Sequence, residues 1–299
     1  MQSHKIKREL ADQLIAAGLN PLDVSEVVLR ALHEDCDVNG DVTSAATIPP
    51  DQVSTLDLVA RAPGTVAGIP VAAAVFAVLG GNAVLIDMLS TDGEQVAAGT
   101  VLLSVHGPTG VLLQGERPAL NLLSHLSAIA TATESWVVAL GTSLTQVRDT
   151  RKTTPGLRTL DKYAVRSGGG INHRMNLSDA ALIKDNHVVA AGGVAQAFEL
   201  IKGRFPDLPV EVEVDSLDQL TEALEVGADL VLLDNFTIDE LSKAVRINQG
   251  RAKLEASGGF TLDQAQAVGA TGVDYVAVGA ITHSAPSLDI GADLRMETI

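Results

Sequence analysis

The C-terminal half of the chain repeats a strand and a helix at nearly constant spacing, and this repeat limits the possible folds most strongly. Apolar strands are expected to end at Glu213, Asp234, Ser257 and Gly279, which lie 21, 23 and 22 residues apart. Helical stretches separate them, and strands apolar on both faces with helical crossovers form parallel sheets. The repeat therefore predicts an α/β barrel with its site at the carboxyl ends of the strands.

Two earlier strands, ending near Arg151 and Lys184, extend this repeat upstream. Six or seven strands can be identified, so we expect an incomplete barrel rather than a closed barrel of eight. The expected fold class is α/β, with an N-terminal α+β domain over residues 1–116 and the barrel over residues 117–284. Residues 285–299 are expected to form a C-terminal tail, for which packing back on the N-terminal domain is one arrangement.

The domain boundary is set by a helical pattern that starts at Glu116-Arg117-Pro118 and closes at Gly141. Proline suits the first position of a helix, so the pattern puts Arg117 just before the helix N-terminus. The helix dipole disfavours a cation there. From this pattern alone, Arg117 is either a structural partner of Glu116 or a residue with a function.

A cluster of basic residues lies between positions 148 and 184. This window holds eight Lys and Arg residues against three acids, a local charge of +5, although the whole chain carries −16. Like charges gathered in one place repel one another, and binding of an anionic ligand explains the cluster better than a solvated basic face does. The candidate donors are Arg151, Lys152, Arg174 and Lys184, with His173 as a further donor.

The other strand ends carry groups that complement these cations. Glu213 and Asp234 suit a hard divalent cation such as Mg²⁺ that is shared with a substrate phosphate. Ser257-Gly258-Gly259 and Gly279-Ala280 offer backbone N–H groups to an anion. Each acid taken singly is more often a structural ion-pair partner, but their common position at strand ends favours a site.

Composition excludes several classes of partner. The net charge of −16 and an aromatic content of 3% argue against nucleic acid. Cys36 is the single cysteine, so the chain forms no internal disulfide and no thiolate zinc site. Glycine and proline interrupt the uncharged stretch 62–86, which argues against a membrane span. We expect a cytoplasmic protein without a membrane partner.

An acidic segment from Asp35 to Asp41 matches the front half of an EF-hand loop. The twelfth position is Ala46, where calcium binding needs a bidentate glutamate. We therefore interpret the segment as an acidic turn that caps the element after it.

Several longer segments carry a family resemblance over nearly the whole chain. In the C-terminal half these are Thr150-Arg-Lys-Thr-Thr-Pro-Gly-Leu-Arg158, Gly168-Gly-Gly-Ile-Asn-His-Arg174, Leu182-Ile-Lys-Asp-Asn-His187, Glu211-Val-Glu213, Leu233-Asp-Asn-Phe236 and Val278-Gly-Ala-Ile-Thr-His-Ser284. Glu116-Arg-Pro-Ala-Leu-Asn121 represents the N-terminal half. Together these segments resemble the quinolinate phosphoribosyltransferase family.

The resemblance implies a reaction and its participants. Quinolinate and phosphoribosyl pyrophosphate would give nicotinate mononucleotide, CO2 and pyrophosphate in de novo NAD biosynthesis, with Mg²⁺ as cofactor. The enzyme would be a homodimer in which Arg117 of one subunit completes the site of the other.

The resemblance also implies a role for each candidate residue. The quinolinate carboxylates would contact Arg117, Arg151, His173, Arg174 and Lys184. Lys152 and Lys184 would face the phosphoribosyl pyrophosphate side, while Glu213 and Asp234 would hold ribose hydroxyls and Mg²⁺. The 5′-phosphate would contact Ser257, Gly258, Gly279 and Ala280. The catalytic set is then Lys152, Lys184, Glu213 and Asp234.

Three other functions fit parts of the pattern. A nicotinate phosphoribosyltransferase would take a monocarboxylate without decarboxylation, although the number of cations favours a dicarboxylate. A Schiff-base aldolase would use Lys184 at the end of a barrel strand. A non-catalytic anion-binding protein would bind ligand without turnover.

Overall fold

A computed structural model describes residues 8–36 and 40–296 of the chain. Packing divides the chain into two compact units. The first comprises residues up to Ala132, Thr154–Gly168 and the residues from Ser284, and the second comprises Thr133–Thr153 and Gly169–His283. Within the described residues, no helix is long and apolar enough to cross a membrane. The expected boundaries at 116/117 and 284/285 for separately folding domains stay a prediction.

The first unit combines helices with a four-stranded antiparallel sheet. Its helices are α1 (Arg8–Ala16), α2 (Pro21–Asp35), α3 (Val42–Thr47), α4 (Ile69–Gly80), most of α5 (Thr109–Leu140) and α6 (Arg158–Ser167). Its strands are β1 (Val53–Ala60), β2 (Gly64–Thr65), β3 (Leu85–Met88), β4 (Gln95–Val96), β5 (Val101–Pro108) and β12 (Ile290–Met296). The sheet order is β12-β1-β5-β3, and β2 pairs separately with β4. This is the expected α+β architecture.

Local sequence signals start the helices of this unit. The Asn20 side chain accepts a hydrogen bond from the backbone N–H of Leu22, and Pro21 opens α2. Asp41 accepts the N–H groups of Thr43 and Ser44, so the acidic segment caps α3 as expected. Residues 37–39, in the middle of the partial EF-hand match, lie outside the described residues.

The long helix α5 corrects one expectation. It begins at Thr109, so Pro118 lies inside the helix rather than at its first position. Arg117 is therefore an interior helical residue, and the dipole argument for it was wrong. Its side chain is 62% exposed, and its guanidinium lies 4.0 Å from Glu116. The helix ends before Gly141, which adopts a φ of 63°.

The second unit is built on a parallel sheet in the order β6-β11-β10-β9-β8-β7. The strands are β6 (Gln146–Arg148), β7 (Ala181–Ile183), β8 (Val210–Val214), β9 (Leu230–Asp234), β10 (Lys253–Ser257) and β11 (Tyr275–Ala277). The helices are α7 (Asp185–Ala191), α8 (Val194–Arg204), α9 (Leu217–Glu225), α10 (Ile238–Asn248), α11 (Ala265–Ala270) and α12 (Ala280–His283). Among described residues no ladder joins β6 to β7, so the barrel is incomplete, as predicted.

The burial pattern of the strands separates the core from the site. Val212, Val231 and Ala256 are fully buried, and they anchor neighbouring strands to the apolar core. Side chains on a strand alternate between its faces, so Glu213, Asp234 and Ser257 fall on the opposite face. Parallel register pairs Ser257 with Asp234, which places both polar ends at the same edge of the sheet.

Candidate active site

A cavity of about 450 Å³ lies at the carboxyl ends of the barrel strands. Eight of the expected site residues line it: Arg151, Lys152, His173, Arg174, Lys184, Glu213, Asp234 and Ser257. The remaining lining residues are Thr150, Leu182, Leu232, Glu255 and Ala277. The cavity therefore joins the cationic segment to both acidic strand ends.

Two arginines form the cationic wall. Burial, and next the charge of Arg151, lower the pKa of Arg174 from its usual value. The Arg174 guanidinium donates to the carbonyl oxygen of Ala180 at 3.0 Å. The Nε of Arg151 is buried and has no hydrogen-bond partner. An unmatched buried donor beside a second guanidinium is costly unless an anion contacts both, so this wall fits a carboxylate or a phosphate.

The acidic wall is formed by Glu213 and Asp234, and it lies beside Lys184, the residue that precedes α7. Lys184 Nζ lies 2.5 Å from Glu213 Oε2, and the Lys184 side chain is 45% exposed. Asp234 Oδ2 accepts a hydrogen bond from Asn235 at 2.8 Å. Within the described residues, each of the two carboxylates keeps one oxygen without a protein partner. Such oxygens suit hydroxyl groups or a hard cation.

His173 lines the cavity, but both of its ring nitrogens are engaged. Nε2 lies 2.7 Å from Glu211, and Nδ1 accepts the backbone N–H of Arg174 at 2.7 Å. Because Nδ1 accepts, the proton of the neutral ring belongs on Nε2, which donates to Glu211. Asp149 accepts the His173 backbone N–H at 2.8 Å and fixes the residue. Direct donation from His173 to a substrate carboxylate stays a prediction.

A charged layer lies one step deeper in the barrel and was not foreseen as part of the site. Arg148 Nη1 lies 2.5 Å from Glu255 and 3.8 Å from Glu211. His173, Glu211 and Glu255 offer ligand atoms within 4.8 Å of one another, a spacing that metal sites use. Arg148 already supplies a positive charge there, so we assign the layer to ion pairing. Its signal in the sequence is the alternation Glu211-Val212-Glu213, which puts both glutamates on one face.

Glycines allow close approach at the remaining strand ends. Gly258 has a φ of 117°, and a Cβ there would lie 2.6 to 2.7 Å from atoms of Asn235. A Cβ on Gly279 would lie 3.1 Å from the Lys152 side chain. Gly258, Gly279 and Ala280 thus follow strand ends at the cavity's edge of the sheet, although none of them lines the cavity.

Arg117 differs from the other expected residues because it belongs to the first unit.

Thr282 is a residue near the site that the sequence did not indicate. It lies in α12 and is buried. Its position next to the basic segment depends on the tertiary fold, so no local pattern could have indicated it.

Two family models together match most of the chain. Residues 41–127 match the quinolinate phosphoribosyl transferase N-terminal domain, and residues 129–293 match the C-terminal domain of the same family. The chain belongs to the quinolinate phosphoribosyltransferase family.

Relatives in this family align over nearly their full lengths. A carboxylating nicotinate-nucleotide pyrophosphorylase of Mycobacterium leprae is 48% identical, covering 90% of this chain and 96% of the relative. A probable enzyme of the same name from Bacillus subtilis is 39% identical, covering 93% and 96%. The crystal structure of NadC from Streptococcus pyogenes superposes with a TM-score of 0.90 at 38% identity, covering 94% and 99%.

A more distant structure shares only the fold. Human nicotinic acid phosphoribosyltransferase gives a TM-score of 0.56 at 14% identity, covering 85% of this chain and 72% of that one. The quinolinate phosphoribosyltransferase family is thus favoured over the monocarboxylate alternative by identity and by coverage.

Proposed function

We propose that the chain transfers the phosphoribosyl group of phosphoribosyl pyrophosphate to quinolinate, with loss of CO2, to give nicotinate mononucleotide and pyrophosphate. The observation that carries this proposal is the pair Arg151 and Arg174 in one cavity with Glu213 and Asp234. The guanidiniums suit the carboxylates of a pyridine dicarboxylate. The two acids suit the ribose, whose anomeric carbon becomes bonded to the pyridine nitrogen. Membership of the family supports the same reaction.

The cations would bind and orient quinolinate before reaction. Arg151 has a buried Nε without a hydrogen-bond partner, and both burial and the neighbouring charge of Arg151 disfavour the charged form of Arg174. A dicarboxylate relieves both costs, whereas a monocarboxylate has one carboxylate fewer to contact them. The ring nitrogen would then be held toward the anomeric carbon of the sugar. Holding the two reactants in this orientation makes a bimolecular step effectively unimolecular.

The carboxylates would favour the charge that develops during transfer. Displacement at the anomeric carbon passes through a state with oxocarbenium character, and Glu213 and Asp234 are placed to stabilise that positive charge. We further propose that these two residues hold Mg²⁺, because each offers a carboxylate oxygen without a protein partner. When bound, Mg²⁺ would neutralise charge on the departing pyrophosphate. Lys152 would contact the same phosphate side.

The Schiff-base aldolase alternative is disfavoured by one contact. A Schiff-base lysine needs a free neutral amine, whereas Lys184 Nζ is paired with Glu213 at 2.5 Å. The nicotinate phosphoribosyltransferase alternative requires a site that accepts one carboxylate, which leaves part of the cationic wall unmatched.

We also propose a homodimer in which the partner subunit's Arg117 completes each site. The support is the exposed guanidinium, 62% accessible on α5, together with the resemblance of its segment to the family. The cytoplasmic location expected from the sequence stays a prediction.

The deciding experiment measures release of CO2 from carboxyl-labelled quinolinate by the purified protein. We expect release only when both phosphoribosyl pyrophosphate and Mg²⁺ are present, with nicotinate mononucleotide as product. Removal of Mg²⁺ by a chelator should stop turnover, and its return should restore it. Equal consumption of nicotinate would contradict the quinolinate assignment, and a borohydride-trapped adduct would support the aldolase.

A further inference from the structure

The layer below the cavity is unusual because it is charged. The interior layers of α/β barrels are mostly filled by branched apolar side chains. Here Glu211 lies on the same strand face as Glu213, and Glu255 on the same face as Ser257, each one step deeper. Glu211 is 3% exposed and Glu255 is fully buried. Two glutamates at this depth need a specific electrostatic reason.

The charges of this layer do not balance when both glutamates are ionised. Arg148 supplies one positive charge, at 2.5 Å from Glu255. His173 is a neutral donor to Glu211, since its Nδ1 accepts the N–H of Arg174. One negative charge is then left over in a buried layer, which is costly. A single bound proton removes the imbalance.

Glu255 is the better holder of that proton. Burial, and next the charge of Glu211, raise the pKa of Glu255 to about 7, although the charge of Arg148 acts in the opposite direction. The Oε1 of Glu255 is buried and has no hydrogen-bond partner. Glu255 lines the cavity, whereas Glu211 is not among the lining residues. The proton would therefore be stored next to the substrate space.

The groups around Glu255 come from every neighbouring element. They are Arg148 on β6, His173 in the segment before β7, Glu211 on β8, Leu232 on β9 and Tyr275 on β11. The Tyr275 ring lies 4.9 Å from the Arg148 guanidinium and supports its position. On β10 itself, Lys253 is exposed and paired with Asp274 at 2.6 Å. Glu255 is thus the acid of this layer with direct access to the cavity.

We propose that Glu255 donates the proton that replaces the carboxylate lost from the substrate. This inference rests on the proposed function, since it concerns the decarboxylation step. The bond between the ring carbon and the carboxylate carbon breaks, and its electron pair stays on the ring carbon beside the cationic ring nitrogen. CO2 leaves, and the proton of Glu255 forms the new C–H bond. The Glu255 carboxylate remains beside Arg148 until solvent returns a proton.

Other groups in the cavity are poorer donors. Guanidinium groups do not release protons in proteins, which excludes Arg151 and Arg174. Lys184 is engaged by Glu213, and its ammonium charge is needed for that ion pair. Lys152 is assigned to the phosphate side, which leaves Glu255 as the acid that can lose a proton and be stabilised afterwards by an adjacent cation, Arg148.

The test is the variant Glu255→Gln, which keeps the shape and an oxygen for Arg148. We expect kcat to fall by about 100-fold or more, as for loss of a general acid. KM for quinolinate and for phosphoribosyl pyrophosphate should change by less than about 3-fold, since the donor acts after binding. The wild-type rate should decline as pH rises through about 7, where Glu255 loses its proton, and the variant should lack this decline.

Glu211→Gln distinguishes a proton donor from a structural ion pair. It removes the neighbouring charge that raises the pKa of Glu255, so the alkaline decline should move to lower pH. A purely structural role would lower activity or thermal stability without moving that decline. Glu225→Gln, at an exposed glutamate that ends α9, is the matched control and should leave the profile unchanged.

The outcomes are separable. If the wild type releases no CO2 from quinolinate, the proposed function fails. If the wild type turns over but Glu255→Gln keeps its kcat and its alkaline decline, the proton donor lies elsewhere and only this inference is overturned. A shift of the alkaline decline in rate to lower pH in Glu211→Gln, together with the absence of this decline in Glu255→Gln, supports the assignment. This holds even where the two variants are obtained in different yields.

Discussion

The Thr282 hydroxyl donates a hydrogen bond to the carbonyl oxygen of Lys152 at 2.8 Å. The same hydroxyl lies 3.1 Å from the carbonyl oxygen of Gly279. Thr282 is buried, so it links the basic segment after β6 to the glycine turn after β11. The backbone of Lys152 and the backbone of that turn are therefore held in one fixed arrangement.

Thr282→Val should loosen this arrangement. Valine keeps the volume but leaves the Lys152 carbonyl oxygen without its donor, which costs about 1 kcal/mol of stability. We expect a higher KM for phosphoribosyl pyrophosphate and a smaller change for quinolinate, measured by steady-state kinetics. Thr282→Ser keeps the hydroxyl group, so it should retain most of the wild-type stability and a KM near the wild-type value.

Thr271→Val provides the matched control for that measurement. Thr271 donates to the carbonyl oxygen of Val268 at 2.7 Å, at the amino end of β11 and away from the site. The variant should lose similar stability while its KM values stay at the wild-type level. An equal rise in KM for both valine variants would argue against a positioning role for Thr282.

Gly258→Ala should damage the phosphate side of the site. A methyl group there would meet the Asn235 backbone at 2.7 Å, and a φ of 117° is strained for any L-residue. Gly259→Ala is the control, because no atom lies within 4 Å of its Cβ position and its φ of 63° falls in the milder left-handed region. We expect weaker binding of phosphoribosyl pyrophosphate in the first variant only, which calorimetry can measure.

A shared site makes a specific prediction for mixed subunits. Arg117→Ala and Lys184→Ala should each be inactive alone, because every site lacks one cation. In a mixed dimer, one of the two sites regains both residues. Random reassortment should therefore restore about a quarter of wild-type activity. Mixing after mild dissociation, followed by the CO2 assay, measures this, and a mixture that stays inactive would exclude sharing through Arg117.

The position of the cavity was predictable because it depends on strand phase. Glu213, Asp234 and Ser257 follow hydrophobic strands at regular spacing, and parallel strands bring such ends together whatever the details of packing. The start of α5 was predicted wrongly because proline usually opens a helix, whereas Pro118 is accommodated inside one. The contacts of Glu255 could not be predicted, since they join β6, β8 and β10 across the barrel interior.

The ion pair between the buried Asp57 and the exposed Arg295 should make the first unit sensitive to acid. Arg295 donates to Asp57 at 2.6 and 3.0 Å, and Ser104 donates at 2.7 Å. Hydrogen bonding from Arg295 is the main cause that lowers the pKa of Asp57. A lowered pKa in the folded state contributes stability above the unfolded value near 4, and this contribution is lost as pH falls through the folded value.

Asp57→Asn should therefore destabilise the protein at pH 7 by about 1 kcal/mol or less, because solvent screens the exposed guanidinium of Arg295. Thermal unfolding at pH 7 and at pH 3 measures the difference, which should shrink at the lower pH. Asp51→Asn, at an exposed aspartate, is the control and should show little change at either pH. A difference that grows in acid would contradict the assignment.

Strand β12 has a consequence for how the protein is made. Residues Ile290–Met296 form an edge of the first sheet by pairing along β1, from Ala60↔Ile290 to Ser54↔Met296. A ribosome must therefore synthesise the chain through residue 296 before β1 receives its last neighbour. Until then β1 presents an open edge to other nascent chains. Premature termination near residue 285 would leave every barrel residue translated, yet would release a chain prone to association through its N-terminal sheet.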